Sequence, residues 1–76
     1  MNDILTVTLR RSGNAGEYVT EINGCRYEVR RVSENSLYAH GTYYRVDAIN
    51  GTEVTSLDNG DTLADVRRII ADHVSG

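Results

Sequence analysis

The chain has 76 residues, which allow one hydrophobic core and leave no room for a second, so we expect a single domain over residues 1–76. Its formal net charge of −3, from 8 basic residues, all arginine, and 11 acidic ones, argues against direct nucleic-acid binding, which requires a basic surplus. The single cysteine excludes an internal disulfide and favours a reducing compartment, the cytoplasm.

The N-terminal segment is predicted to form a strand. Leu5, Val7 and Leu9 alternate with polar residues, the pattern of a strand that buries one face. The chain begins with neither a basic stretch nor a long apolar run, so we expect no signal peptide and no membrane span. Residues 12–16, which include two glycines, are predicted to form a loop.

The strongest local signal is Asn23-Gly24, which lies between two alternating segments. A type I′ turn requires positive φ at both central residues, and this dipeptide tolerates it. The turn pairs Ile22 with Cys25 and predicts a mostly apolar face formed by Tyr18, Ile22, Cys25, Tyr27 and Val29.

The opposite face of this hairpin supports the same register. It places Glu21 across from Arg26 and Glu17 across from Arg30. Each pair of opposite charges stabilises the hairpin by about 0.2–1 kcal/mol.

Residues 37–49 are rich in tyrosine and β-branched residues and are predicted to form one or two strands, with Gly41 as a bulge or a bend. A second signal, Asn50-Gly51, predicts another hairpin.

The register of this second hairpin has two solutions. A two-residue loop puts Ala48 opposite Glu53, whereas a four-residue loop matches Val46 with Leu57. The second solution suits a common core face better.

After residues 58–62 the hydrophobic period changes from two to about 3.6, which predicts a C-terminal helix capped by Asp61 or Thr62. Its apolar stripe consists of Leu63, Val66, Ile70 and Val74, with Ile69 beside it, while Asp65, Arg68 and Asp72 point away. The fold class is therefore α+β, an antiparallel sheet of four to five strands with the helix packed on one face.

Catalytic chemistry has little support in the sequence. Cys25 with His40 or His73 would be a thiol and a base, but Cys25 is predicted to face the core, where a thiol behaves as a small apolar group. These residues form no zinc-site spacing, and no phosphate-binding glycine motif is present. We expect no enzyme activity, no cofactor and no metal site.

The tyrosines point to a contact surface. Tyr43 and Tyr44 are adjacent and cannot both face inward, and together with Tyr38 they exceed what so small a sheet can bury. Tyrosine and arginine are enriched at interface hot spots, so Tyr38, Tyr43 and Arg45 are candidate partner-binding residues. Alternatively, each tyrosine merely packs on a neighbouring strand.

An acidic group along the second hairpin and the helix start is a further candidate for binding a basic partner surface. Asp61 and Asp65 already have a structural use at the helix N-terminus. Asp47, Glu53 and Asp58 remain as candidate contact residues.

In size and architecture, through its two Asn-Gly hairpins and the helix over residues 61–74, the chain resembles small phage or prophage proteins that disable host machinery by binding it, anti-CRISPR proteins among them. The resemblance implies an inhibitor in the host cytoplasm that blocks a nucleic-acid-binding protein partner, such as a CRISPR effector complex. No family motif is present, so no functional residue is transferred.

Two other functions compete with this one. The first resembles DNA-binding domains in which a three-stranded sheet enters the major groove, and it would use Arg26, Arg30, Tyr43 and Arg45. The second is an enzyme that uses Cys25. Either a monomer or a homodimer fits the sequence, since an unpaired edge strand is a potential dimer contact.

Overall fold

The computed structural model describes residues 7–35 and 40–76. Within these ranges the chain forms one antiparallel sheet whose strand order follows the chain, and one helix packs on it. The elements are β1 (Arg10–Arg11), β2 (Glu17–Ile22), β3 (Cys25–Asn35), β4 (His40–Asn50), β5 (Glu53–Ser56) and α1 (Leu63–Ser75). The predicted α+β fold class is confirmed. No helix in the described ranges is both long enough and apolar enough to cross a bilayer.

The first strand is shorter than predicted. β1 contains only Arg10–Arg11, and residues 7–9 are not part of a strand. Val7 is nevertheless buried and Leu9 packs against the core, whereas Leu5 lies outside the described residues. An extended chain can bury alternate side chains without a hydrogen-bonded neighbouring strand. Val7 and Leu9 therefore still contact the core although residues 7–9 do not pair in the sheet.

The first hairpin has the predicted register, from Ile22 paired with Cys25 to Glu17 paired with Arg30. Asn23 and Gly24 have φ values of 54° and 79°, as a type I′ turn requires. Arg30 forms the expected ion pair with Glu17 at 3.4 Å.

The ion pair predicted between Glu21 and Arg26 is replaced by another. Arg26 contacts Glu28 at 2.9 Å, two residues further along its own strand. Residues two apart in a strand lie on the same face, so Glu28 competes with the cross-strand partner for the guanidinium group.

The segment over residues 37–49, predicted as one or two strands, forms the single strand β4 from His40 onwards. Residues 36–39 lie outside the described residues. β3 and β4 pair without interruption from Arg26 and Ile49 to Asn35 and His40. Gly41, with a φ of 154°, pairs in regular register, so it is not a bulge.

The second hairpin adopts the register that the core favours. Asn50 pairs with Glu53, and the Leu57 N–H donates to the Val46 carbonyl oxygen at 2.8 Å. The connection is a two-residue turn at Gly51-Thr52, one position later than the Asn-Gly signal indicates. Gly51 has a φ of 64°, and positive φ at the first central residue is typical of a type II′ turn.

The core lies between α1 and one face of the sheet and consists of Val7, Tyr27, Val29, Val46, Ala48, Val66 and Ile70.

Thr62 is the helix N-cap. Its side chain accepts from the Asp65 N–H at 3.1 Å, and the Asp65 carboxylate accepts from the Thr62 N–H at 3.2 Å. Near the other helix end, the Tyr27 hydroxyl and His73 Nδ1 lie 2.8 Å apart.

Thr62→Ala should lower the free energy of unfolding by about 1 kcal/mol, because it removes the cap acceptor and leaves an N–H of the first helical turn unpaired. Urea unfolding followed by circular dichroism measures the loss. Thr52→Ala is the matched control, since Thr52 is exposed in the second turn. Equal losses in the two variants would contradict a capping role for Thr62.

Candidate functional site

The sheet face opposite α1 is the candidate site. Residues paired across antiparallel strands share a face, so the registers assign every side chain to one side. The open face, as we call it, comprises Arg10, Glu17, Val19, Glu21, Arg26, Glu28, Arg30, Val32, Tyr43, Arg45, Asp47, Ile49, Val54 and Ser56.

Like charges oppose each other at the centre of the open face. Glu28 pairs with Asp47 and Arg30 with Arg45 across β3 and β4. We call these four residues the charge quartet. Like charges directly opposite each other destabilise a sheet, so this arrangement lowers the stability of the isolated domain.

Neighbouring side chains satisfy part of the charge quartet. Glu28 pairs with Arg26 and Arg30 with Glu17, while Ser56 Oγ donates to Asp47 Oδ1 at 3.1 Å. Arg45 is exposed and forms neither an ion pair nor a hydrogen bond through its side chain with any residue that the structure describes. One cation in the middle of the open face is thus available to a partner.

Apolar side chains flank the charge quartet along the strands. Ile49 pairs with Val54 at one end, and Val32 pairs with Tyr43 at the other. Val54 is 63% exposed, and the other three are half-buried. An apolar group at each end with charges between them provides several kinds of contact on one surface.

A hollow of about 300 Å³ lies over the charge quartet, lined by Ser12, Glu17, Tyr18, Glu28, Val29, Arg30, Arg45 and Asp47. Five of these residues are charged. Small-molecule sites are predominantly apolar with a few polar groups, so this lining suits a macromolecular contact better than an enclosed ligand.

Three of the six predicted contact residues come together. Tyr43, Arg45 and Asp47 alternate along β4 and lie side by side on the open face. Glu53 at the start of β5 pairs with Asn50 on the other side of the sheet, and Asp58 lies after the end of β5; both are exposed. Tyr38 lies outside the described residues.

This surface also includes Glu28, Ile49 and Val54, which no local sequence pattern marks as contact residues. All three follow from the registers of β3, β4 and β5. The alternation of residues along a strand shows only which side chains of that strand share a face. The pairing of β3, β4 and β5 is needed to place Glu28, Ile49 and Val54 beside Arg45 and Asp47.

Two of the three groups considered for catalysis, Cys25 and His73, are engaged in packing, and the side chain of the third, His40, lies outside the described part of the chain. Cys25 is half-buried and packs against the core, and His73 Nδ1 bonds the Tyr27 hydroxyl. Burial, followed by the neighbouring Cys25 thiol, raises the pKa of Tyr27 to about 12. The described residues contain no cluster of three groups able to hold a metal ion.

Comparison of the chain with known protein families, curated proteins and solved structures finds no match. The function therefore has to be inferred from the chemistry of the open face.

Proposed function

We propose that this chain is a non-enzymatic protein-binding module whose contact surface is the open face. The charge quartet is the observation that supports this proposal most directly. Opposed like charges lower the stability of the isolated domain, and a partner that supplies the complementary charges offsets that loss. Tyr43 and Arg45 add the residue types that dominate interface energetics.

The partner class that fits this chain is a host nucleic-acid-binding complex, which the chain blocks in the host cytoplasm as small phage inhibitors do. The charge balance of the open face supports a protein partner. Its described residues include four arginines and four acids: Arg10, Arg26, Arg30, Arg45, Glu17, Glu21, Glu28 and Asp47. A surface of mixed charge matches another mixed protein surface, whereas a phosphate backbone requires a basic one.

A DNA-binding module is the second candidate, because Arg26, Arg30, Tyr43 and Arg45 all lie on the open face. The ion pairs count against it. Arg26 and Arg30 already contact glutamates, which would have to be displaced before either residue could neutralise a phosphate.

A tagged pull-down from bacterial lysate, performed with and without nuclease and read by mass spectrometry, separates these two functions. A stoichiometric protein partner that survives nuclease supports the inhibitor. Recovery of nucleic acid, or of proteins that are lost after nuclease treatment, supports the DNA-binding module.

Substitution of Tyr43, Arg45 or Asp47 singly by Ala should weaken binding to the captured partner by more than about 1 kcal/mol at one position or more. Isothermal calorimetry measures the affinity, and circular dichroism checks that each variant folds. Arg67→Ala is the control, because Arg67 is exposed on α1. If all three variants bind like the unmodified protein, the open face is not the contact surface.

A further inference from the structure

The open face is self-complementary along β3 and β4. Four successive rows cross these two strands: Arg26 with Ile49, Glu28 with Asp47, Arg30 with Arg45, and Val32 with Tyr43. The two middle rows carry opposite charges, and the two outer rows each contain an apolar residue of β4. Reversal of the strand direction therefore exchanges the acidic row with the arginine row and places Ile49 of β4 over Tyr43.

We propose that a second copy of this chain binds the open face and forms a symmetric dimer. The two-fold axis lies between the copies, parallel to the sheets and perpendicular to the strands, midway between the acidic row and the arginine row. This rotation places Asp47 of one copy over Arg45 of the other, and Glu28 over Arg30. The inference rests on the proposed function, because it names a partner for the open face.

The charge pattern selects this axis. An axis parallel to the strands would place the acidic row on the acidic row of the second copy and would repel it. Face-to-face sheets pack about 10 Å apart with their strands nearly aligned, which leaves room for these side chains to interdigitate. In an isologous contact every ion pair occurs twice, so four opposite-charge contacts between the copies offset the like-charge oppositions that remain within each copy.

Ile49 of one copy faces Tyr43 of the other in the same arrangement, so the apolar ends of β4 are covered as well. Capture of another protein by the open face and self-association exclude each other. A target therefore has to displace one copy from the dimer.

Charge exchange at two positions tests the dimer. Arg45→Asp alone places the new carboxylate over Asp47 of the other copy. Asp47→Arg alone places the new guanidinium group over Arg45 of the other copy. Each single variant should raise the dimer dissociation constant at least about tenfold. The double variant Arg45→Asp with Asp47→Arg restores opposite charges between the copies and should restore the dimer.

The single variants have a second expected effect, which excludes misfolding as the cause. Within one copy, Arg45→Asp faces Arg30 and Asp47→Arg faces Glu28, so each like-charge opposition becomes an attraction. At protein concentrations below the dimer dissociation constant of the unmodified chain, each single variant should therefore resist urea at least as well as the unmodified chain.

Sedimentation equilibrium at concentrations up to about 1 mM detects even a weak dimer. Dimerisation of the unmodified chain and the double variant, with loss in both single variants, supports the proposal. A monomeric unmodified chain, dimers in the single variants, or no recovery in the double variant would overturn it. Sedimentation uses purified protein alone, so its outcome is independent of the pull-down, which tests capture of another protein.

Discussion

Ile70→Ala should lower the free energy of unfolding by about 2–5 kcal/mol, the range for removing a large aliphatic side chain from a packed core. Ile70 is fully buried between α1 and the sheet, where it belongs to the core cluster with Val46 and Val66. A domain of this length is expected to have a stability of only a few kcal/mol. The variant should therefore be largely unfolded at room temperature, as circular dichroism and urea titration would show.

Ile69→Ala is the matched control, because it removes the same atoms from the adjacent position of the same helix. Ile69 is half-buried and lies outside the core cluster. Its loss should cost about 1 kcal/mol or less, since alanine also has the higher helix propensity. Similar losses at both positions would mean that α1 does not present Ile70 to the sheet.

The elements with strong local chemistry could be predicted from the sequence. Asn23-Gly24 selects a type I′ turn, and the turn fixes the register of β2 and β3. Helix α1 was also indicated by local signals. These are the apolar stripe that includes Val66 and Ile70, and Thr62 as one of two candidate N-caps. In each case residues close in sequence determine the geometry.

The second hairpin shows where local chemistry is insufficient. Asn50-Gly51 favours a turn at those two residues, but the structure places the turn at Gly51-Thr52. The shift sets Val46 opposite Leu57, which follows β5 directly and packs against the core. Tertiary burial outweighs the turn preference here, and the sequence offered both registers.

The candidate site was the least predictable part because it depends on the pairing of β3 with β4. No turn signal in residues 36–39 fixes that register. A shift of two residues would keep every side chain on its face and place Glu28 across from Arg45, an opposite-charge pair. The observed register instead places Glu28 across from Asp47, while Val29 pairs with Val46 in the core.

The register of β3 and β4 links core packing to the proposed contact surface. The core register is maintained at the expense of charge repulsion on the other face, and a second molecule can convert that repulsion into attraction. Among the described residues, the side chain of Arg45 is left without a partner beside these opposed like charges, an arrangement that favours the proposed protein contact.

High pH should destabilise the fold through Tyr27. The Tyr27 residue is 2% exposed, and burial, then the Cys25 thiol, raises the pKa of its hydroxyl from 10.0 to about 12. Below pH 10 the folded and unfolded chains both hold this proton, so the stabilisation is fully present. Between pH 10 and about 12 only the folded chain retains it, and stability falls as the pH rises, by up to roughly 3 kcal/mol.

Tyr27→Phe removes this titration and serves as the comparison for urea unfolding at a series of pH values. At neutral pH the variant should be less stable by about 1 kcal/mol, because the hydrogen bond to His73 is lost. Above pH 10 the difference should narrow and then reverse, since only the unmodified chain must keep a buried hydroxyl protonated. Parallel stability curves across that range would show that Tyr27 ionises equally in the folded and unfolded chains.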